Sequence, residues 1–270
     1  MRNKIVLITG STDGIGKQTA IELALLGAHV IIHGRNESRV EKTVEQLKDE
    51  NAALNKIDGF TFDLSSLQQI KQFADTIKNQ FDRIDVLINN AGVYLKNKML
   101  SADGFEMTFA VNHLSHFLLT NELLPLLKRS NEGRIIHVSS MTHQSAKLEW
   151  DNLNAEKHYD AYGVYSLSKL ANVLFSKELS ERINGSGVTS NSLHPGVIAT
   201  KLLAAGFSIG GSSVKKGAEN SVYLASSPEV KNISGKYFVD KKISHYNSIA
   251  DDKSVRKKFW NVSGEMTGLN

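Results

Sequence analysis

Along this chain of 270 residues the apolar positions switch repeatedly between two periods. Short runs rich in β-branched residues stand at Ile5–Ile8, His29–Ile32, Gly59–Phe62, Val86–Ile88, Ile135–Val138 and Val188–Leu193. Nearly continuous apolar runs of this length predict strands buried on both faces, as in a parallel sheet. Between them, Gly16–Leu26 sets Ala20, Leu23, Ala24 and Leu26 at helical spacing. Glu37–Glu50 and Leu67–Gln80 repeat that spacing on a more polar background, and Tyr162–Ile183 is a further helical stretch. Strand, helix, strand in unbroken succession predicts an α/β fold, a doubly wound parallel sheet with helices on both faces. No linker, low-complexity tract or repeat divides the chain, so residues 1–270 are expected to form a single domain. Met141–Tyr159 and Leu202–Ser213 are predicted to be irregular, and long loops in compact domains commonly serve as lids or substrate-binding elements.

Composition narrows the function classes. Absence of cysteine removes disulfides, thiolate zinc sites and cysteine nucleophiles. Apolar runs near the N-terminus are too short for a signal-peptide core or a membrane span, so a soluble, cytoplasmic protein without a membrane partner is expected. A net charge of +4 is modest. The basic runs Lys215-Lys216, Lys241-Lys242 and Arg256-Lys257-Lys258 are short, lie near acids and are expected to be solvated faces. No nucleic-acid partner is indicated.

Directly after the first strand comes Thr9-Gly10-Ser11-Thr12-Asp13-Gly14-Ile15-Gly16, and then a helical pattern. Gly10 permits the tight turn, Gly14 lets backbone approach a phosphate, and Gly16 permits close helix–strand contact. The helix start offers unpaired N–H groups and a positive dipole end to a pyrophosphate. The second strand ends Ile32-His33-Gly34-Arg35-Asn36, with no acid before Glu37. An NAD site usually places an acid there for the adenosine ribose, whereas Arg35 matches a 2′-phosphate, so NADP(H) is expected over NAD(H).

Candidate chemistry lies in Tyr165-Ser166-Leu167-Ser168-Lys169. Residues four apart share a helix face, and a cation beside a phenol favours phenolate and lowers its pKa toward the working range. Tyr159 and Tyr162 have no lysine four residues on. The strand ending in Ser139-Ser140 brings a hydroxyl pair to the sheet end that faces ligand, and strand alternation places the two on opposite sides. Asn112, an amide among apolar neighbours on a helical segment, is either a satisfied core residue or a built polar site. His113, His116 and His137 are expected to be structural. Glu149, Asp151 and Glu156 are expected to be solvated loop charges.

With these motifs in order, the chain resembles the short-chain dehydrogenase/reductase family, with its Rossmann fold, over essentially its whole length. The resemblance is carried by Thr9-Gly10-x-x-x-Gly14-Ile15-Gly16, Asp63, Asn89-Asn90-Ala91-Gly92, Asn112, Ser140, Tyr165-x-x-x-Lys169 and Pro195-Gly196-Val197-Ile198-Ala199-Thr200. It implies that Tyr165 is the general acid/base, that Lys169 lowers its pKa and holds the nicotinamide ribose, and that Ser140 polarises the substrate oxygen. It further implies that Asn112 holds a relay water, Asp63 and Leu64 contact adenine, and Asn90, Ala91 and Gly92 line the ribose side. Pro195, Gly196, Val197, Ile198 and Thr200 would embrace the nicotinamide. Val111–Thr120, Ser168–Phe175 and His194–Val197 resemble the retinol-dehydrogenase-like branch. The expected partner is a small, apolar alcohol or carbonyl compound; a non-catalytic NADP(H)-binding regulator and an epimerase or dehydratase are the alternatives. Oligomeric state is left open, family members often being dimers or tetramers.

Overall fold

The computed structural model describes residues 1–50, 56–207 and 209–269. In its first half, β1 (Ile5–Ile8), β2 (His29–Gly34), β3 (Ile57–Thr61) and β4 (Val86–Asn89) alternate with α1 (Gly14–Leu25), α2 (Glu37–Glu50) and α3 (Leu67–Gln80). Then α4 (Met107–Phe109) runs through a π turn (Ala110–Leu114) into α5 (Ser115–Lys128). β5 (Gly133–Val138), α6 (Ala161–Arg182), β6 (Val188–His194), α7 (Lys201–Gly206) and α8 (Val214–Ser226) follow. The chain closes with β7 (Tyr237–Val239), β8 (Lys242–Ile243) and α9 (Lys253–Thr267).

The strand order is β3-β2-β1-β4-β5-β6-β7-β8, parallel throughout except for the antiparallel β7–β8 pair. Period-two alternation splits each central strand between two cores. Leu7, Ile31, Leu87 and Ile135 join Phe73 and Ile77 of α3, Leu118 of α5 and Phe175 of α6 on one face. Val6, Ile8, Ile32, Ile88 and Ile136 meet Leu23 of α1, Leu47 of α2 and Leu224 of α8 on the other. The chain winds outward in both directions from β1 and β4. Their C-terminal ends therefore flank the switch point where open α/β sheets bind ligands.

Predicted elements and observed ones differ mainly at their ends. β2 extends to Gly34 because His33 and Gly34 pair with Phe60 and Thr61. β3 accordingly starts at Ile57 and ends before Phe62. The stretch 202–213 is not irregular throughout: α7 takes up its first turns, with the Thr200 hydroxyl capping Leu203 N–H. Residue 208 of that stretch lies outside the described residues. The other predicted loop opens with a 3-10 turn, Met141–Ser145, and then stays irregular.

One expectation about charge is corrected. Arg256, from a basic run expected to face solvent, is 1% exposed. Its guanidinium donates to Ala250 and Asp251 carbonyls and to Glu181 Oε1 at 2.5 Å. Those contacts fasten α9 to α6, where Phe259 packs with Leu170 and Leu174.

Candidate active site

The Gly-rich turn is built for close approach. Gly10 (φ +63°) and Gly14 (φ +54°) adopt left-handed backbone that glycine tolerates without strain. A β-carbon at Gly10 would sit 2.9 Å from Ala91 Cα, and one at Gly16 2.3 Å from the Gly10 carbonyl. At Gly14 a β-carbon would meet Thr200 Cγ2 at 3.6 Å. Asp13 caps α1, accepting Gly14 N–H at 2.8 Å.

Neighbouring segments hold the turn from both sides. Ser11 is buried, its hydroxyl donating to Ile8 O at 2.8 Å. Thr12 lies against Gly34. Asn90 Nδ2 donates to Thr9 O, and Thr9 Oγ1 accepts both Asn90 N–H and Ala91 N–H. Arg35 and Asn36 are exposed beyond β2, and Asn36 Oδ1 accepts Arg39 N–H at the start of α2. Asp63 Oδ1 accepts Ser65 N–H, and the Leu64 side chain is buried in the core, leaving its backbone as the part that could meet a ligand.

Sequence reasoning missed His33 here. Its Nδ1 accepts Gly10 N–H at 3.0 Å and its Nε2 donates to Phe62 O at 3.1 Å. Burial pulls its pKa down to about 4, so the ring is neutral and this tautomer fits both contacts. The available signal was a polar side chain ending an otherwise apolar strand.

The second cluster gathers on α6, β5 and the π turn. Tyr165 and Lys169 lie one helical turn apart and buried, with Lys169 Nζ 5.6 Å from the centre of the Tyr165 ring. Lys169 Nζ donates to Val138 O at 3.1 Å. Burial alone pulls its pKa down to about 8, which leaves the ammonium largely protonated at neutrality. The Tyr165 phenol is pushed up by burial, against the downward pull of a hydrogen bond from the Ser140 hydroxyl. The lowering effect expected of Lys169 is not among the influences on the phenol in this structure: burial outweighs the Ser140 contact, and nearby Tyr94 adds to the upward push.

The two serines divide as strand alternation requires. Ser139 Oγ is buried and donates to Lys169 O at 2.7 Å, tying β5 to α6. Ser140 faces the Tyr165 hydroxyl. Asn112 sits in the π turn, a local widening of the helix that occurs frequently at functional sites. Its Oδ1 accepts Val93 N–H at 2.8 Å, and its Nδ2 donates to Val93 O and Ser168 Oγ, both at 3.0 Å. A β-carbon at Gly92 would stand 3.4 Å from Asn112 Oδ1 and from Lys169 Nζ. Gly92 thus leaves open the space between the turn and the lysine.

The segment after β6 closes the crevice. Pro195 is half-buried, Gly196 takes φ +97°, and Val197 is exposed. Ile198 is buried, its side chain close to Gly217 of α8, so only its backbone can face a ligand. Thr200 reaches the Gly-rich turn, and Lys201 Nζ pairs with Asp13 Oδ2 at 2.5 Å. Two aromatic residues absent from the sequence reading stand over the phenol. The Tyr94 ring is 5.4 Å from that of Tyr165, and the Phe207 ring is 6.1 Å away. Tyr162 completes the cluster at 6.2 Å from Phe207.

A glycine cradle at the switch point, with Tyr165, Ser140 and Lys169 at its far end, fits a nicotinamide dinucleotide. Residues 4–208 match the short chain dehydrogenase family. The chain belongs to that family. Among curated relatives, retinol dehydrogenase 14 of Homo sapiens is 42% identical, covering 100% of this chain and 88% of that protein. Retinol dehydrogenase 13 of Mus musculus is 41% identical over 98% of this chain and 84% of its own length. A solved structure of an uncharacterized protein from Mycobacterium Paratuberculosis superimposes with a TM-score of 0.83 at 31% identity, covering 99% of this chain and 94% of that one. This short-chain dehydrogenase is therefore an oxidoreductase of small molecules, and its sheet has the expected Rossmann-like form.

The three histidines of this family member that were expected to be structural are used in packing. His113 hydrogen-bonds Ser263, His116 contacts Thr9, and His137 contacts Asn89 and Ser190. All three are buried, which lowers their pKa values. Glu149 and Asp151 pair with His158 and Lys157 at the surface, and Glu156 accepts from Asn154. Among the described residues no helix is long and apolar enough to cross a membrane.

Proposed function

We propose that the protein interconverts an apolar alcohol and its carbonyl compound with NADP(H), using Tyr165 as general acid/base. The observation that carries this reading is the placement of Tyr165 beside both Ser140 and Lys169, with Gly92 next to that lysine. NADP(H), when bound, supplies or accepts the hydride. In reduction, the Tyr165 hydroxyl donates a proton to the carbonyl oxygen while the Ser140 hydroxyl donates a hydrogen bond to it. The Lys169 ammonium, fixed by Val138 O and 5.6 Å from the centre of the Tyr165 ring, is the cation available to the phenolate that remains and would hold the nicotinamide ribose. Asn112 anchors Val93 and Ser168 beside the lysine and serves the relay that restores the proton. Oxidation runs the same steps backward.

At the adenosine end, Arg35 holds the 2′-phosphate, consistent with its exposed place beyond β2 and the missing acid. Asn90, Ala91 and Gly92, with Gly10 to Gly16, hold the ribose and pyrophosphate. Apolar and aromatic groups around the phenol, Tyr94, Tyr162, Leu202 and Phe207, support an apolar substrate. The names of the curated relatives add retinol, an apolar primary alcohol, to the compounds to be tried.

A panel of aldehydes and ketones with their alcohols, retinal and retinol included, run with NADPH and NADH side by side, tests the proposal. Turnover with NADPH that Tyr165→Phe abolishes is expected. Turnover that survives the substitution would remove Tyr165 from its role, and substrate conversion without net change in nicotinamide absorbance would favour the epimerase or dehydratase reading.

A further inference from the structure

The turn that must face a pyrophosphate carries a carboxylate. Asp13 lies between Gly10 and Gly14, and its Oδ1 is engaged as the cap of α1. Its second oxygen, Oδ2, meets Lys201 Nζ at 2.5 Å. An uncompensated negative charge at this spot would repel the cofactor's own phosphates, because like charges a few ångströms apart interact strongly near a protein surface. Lys201 comes from the opposite bank of the crevice, as the first residue of α7, directly after Thr200. Thr200 itself is within van der Waals reach of a β-carbon at Gly14. The ion pair therefore spans the entrance over which the dinucleotide must lie. Both side chains are largely exposed, with Lys201 80% and Asp13 56% open to solvent. Such a pair adds little to stability. An exposed ammonium on a flexible stem is free to turn from carboxylate to phosphate without disturbing the core.

We propose that Lys201 is a cofactor-binding residue that neutralises Asp13 and pairs with the pyrophosphate, tying α7 to the Gly-rich turn when the dinucleotide binds. The inference rests on the nicotinamide-cofactor reading above. Its consequence for the site is that Leu202 and Phe207, carried on the same segment over Gly92 and Tyr165, are set in place by the cofactor before the substrate arrives.

A charge cycle on the full-length protein tests this, read as the dissociation constant for NADPH from its fluorescence in the absence of any carbonyl substrate. Lys201→Met is expected to weaken NADPH binding about tenfold, since it removes one charge-assisted contact and exposes Asp13 to the phosphates. Asp13→Asn, which keeps a capping side chain, is expected to bind NADPH as well as the parent or a few-fold tighter. The double variant is expected to recover the part of the loss that comes from the exposed Asp13 charge and to stay weaker than Asp13→Asn. Unchanged binding in Lys201→Met, weaker binding in Asp13→Asn, or a double variant as weak as Lys201→Met alone would overturn the proposal. Parent protein that binds NADPH and responds to Lys201→Met but turns over no carbonyl compound would sink the proposed activity and leave this role standing. Turnover with unchanged binding in the variant would do the reverse.

Discussion

The two banks of the crevice are built in opposite ways. On one, Asn112, Ser139, Tyr165 and Lys169 are buried, and backbone contacts to Val93 and Val138 and from Ser139 to Lys169 fix the amide, the ammonium and the helix. On the other, α7 buries none of its residues and is held by a capping hydroxyl, an exposed ion pair and ring contacts. Groups that move protons must be pre-positioned within fractions of an ångström, and a dense, hydrogen-bonded wall supplies that. Groups that admit a substrate must yield, and a short helix with few buried contacts opens at little cost. Under the proposed function, the buried wall carries the reaction type and the exposed bank the choice of substrate.

That division is broken most sharply by Tyr165→Phe. Losing the proton donor should lower kcat/KM by about 10²- to 10⁴-fold while NADPH binding, measured by fluorescence, stays near the parent value. A comparable loss of NADPH affinity would show that the wall is not independent of the cofactor cradle. Next comes pH. Lys169 is a base whose pKa burial lowers to about 8, so its ammonium is present below that value and lost above it. Carbonyl-reduction kcat/KM should hold up to pH 8 and then fall up to about tenfold per unit. A profile flat to pH 10 would mean that the ammonium is not required.

Arg35→Ser, at the adenosine end, should lower the preference for NADPH over NADH by about tenfold, the scale of one charge-assisted hydrogen bond. An unchanged ratio of the two kcat/KM values would assign the 2′-phosphate to another cation. The smallest effect is expected on the exposed bank. Phe207→Ala should raise KM for apolar substrates by about three- to tenfold with little change in kcat, because it removes binding surface rather than a reacting group. A large fall in kcat would show that Phe207 takes part in positioning the reaction.

How much of this was legible depended on how local each signal was. Strand positions, the Gly-rich turn and the Tyr165–Lys169 pair follow from spacing within a few residues. That Ser139 and Ser140 point to opposite sides followed from alternation along one strand, and the structure turns the two as that rule requires, whereas the choice of Ser140 came from the family resemblance. His33 was invisible because its role depends on Gly10, 23 residues away, presenting an N–H to it. Tyr94, Phe207 and the Lys201–Asp13 pair were missed for the same reason: they come from separate connections that meet only at the mouth of the crevice. Arg256 looked like surface because a basic run carries no sign of the carbonyl groups that will surround it.

From its residues alone the chain determined its layered α/β form, its glycine cradle and the lysine placed one helical turn from Tyr165. Those properties depend on backbone sterics and short-range periodicity, which need no knowledge of distant partners. Tertiary structure decided the rest: desolvation raising the phenol and lowering the lysine, the imidazole behind the Gly-rich turn, and the aromatic rings and ion pair across the entrance. Burial and long-range contact exist only once the sheet has brought remote segments together, and those are the quantities that set charge state and access at the site.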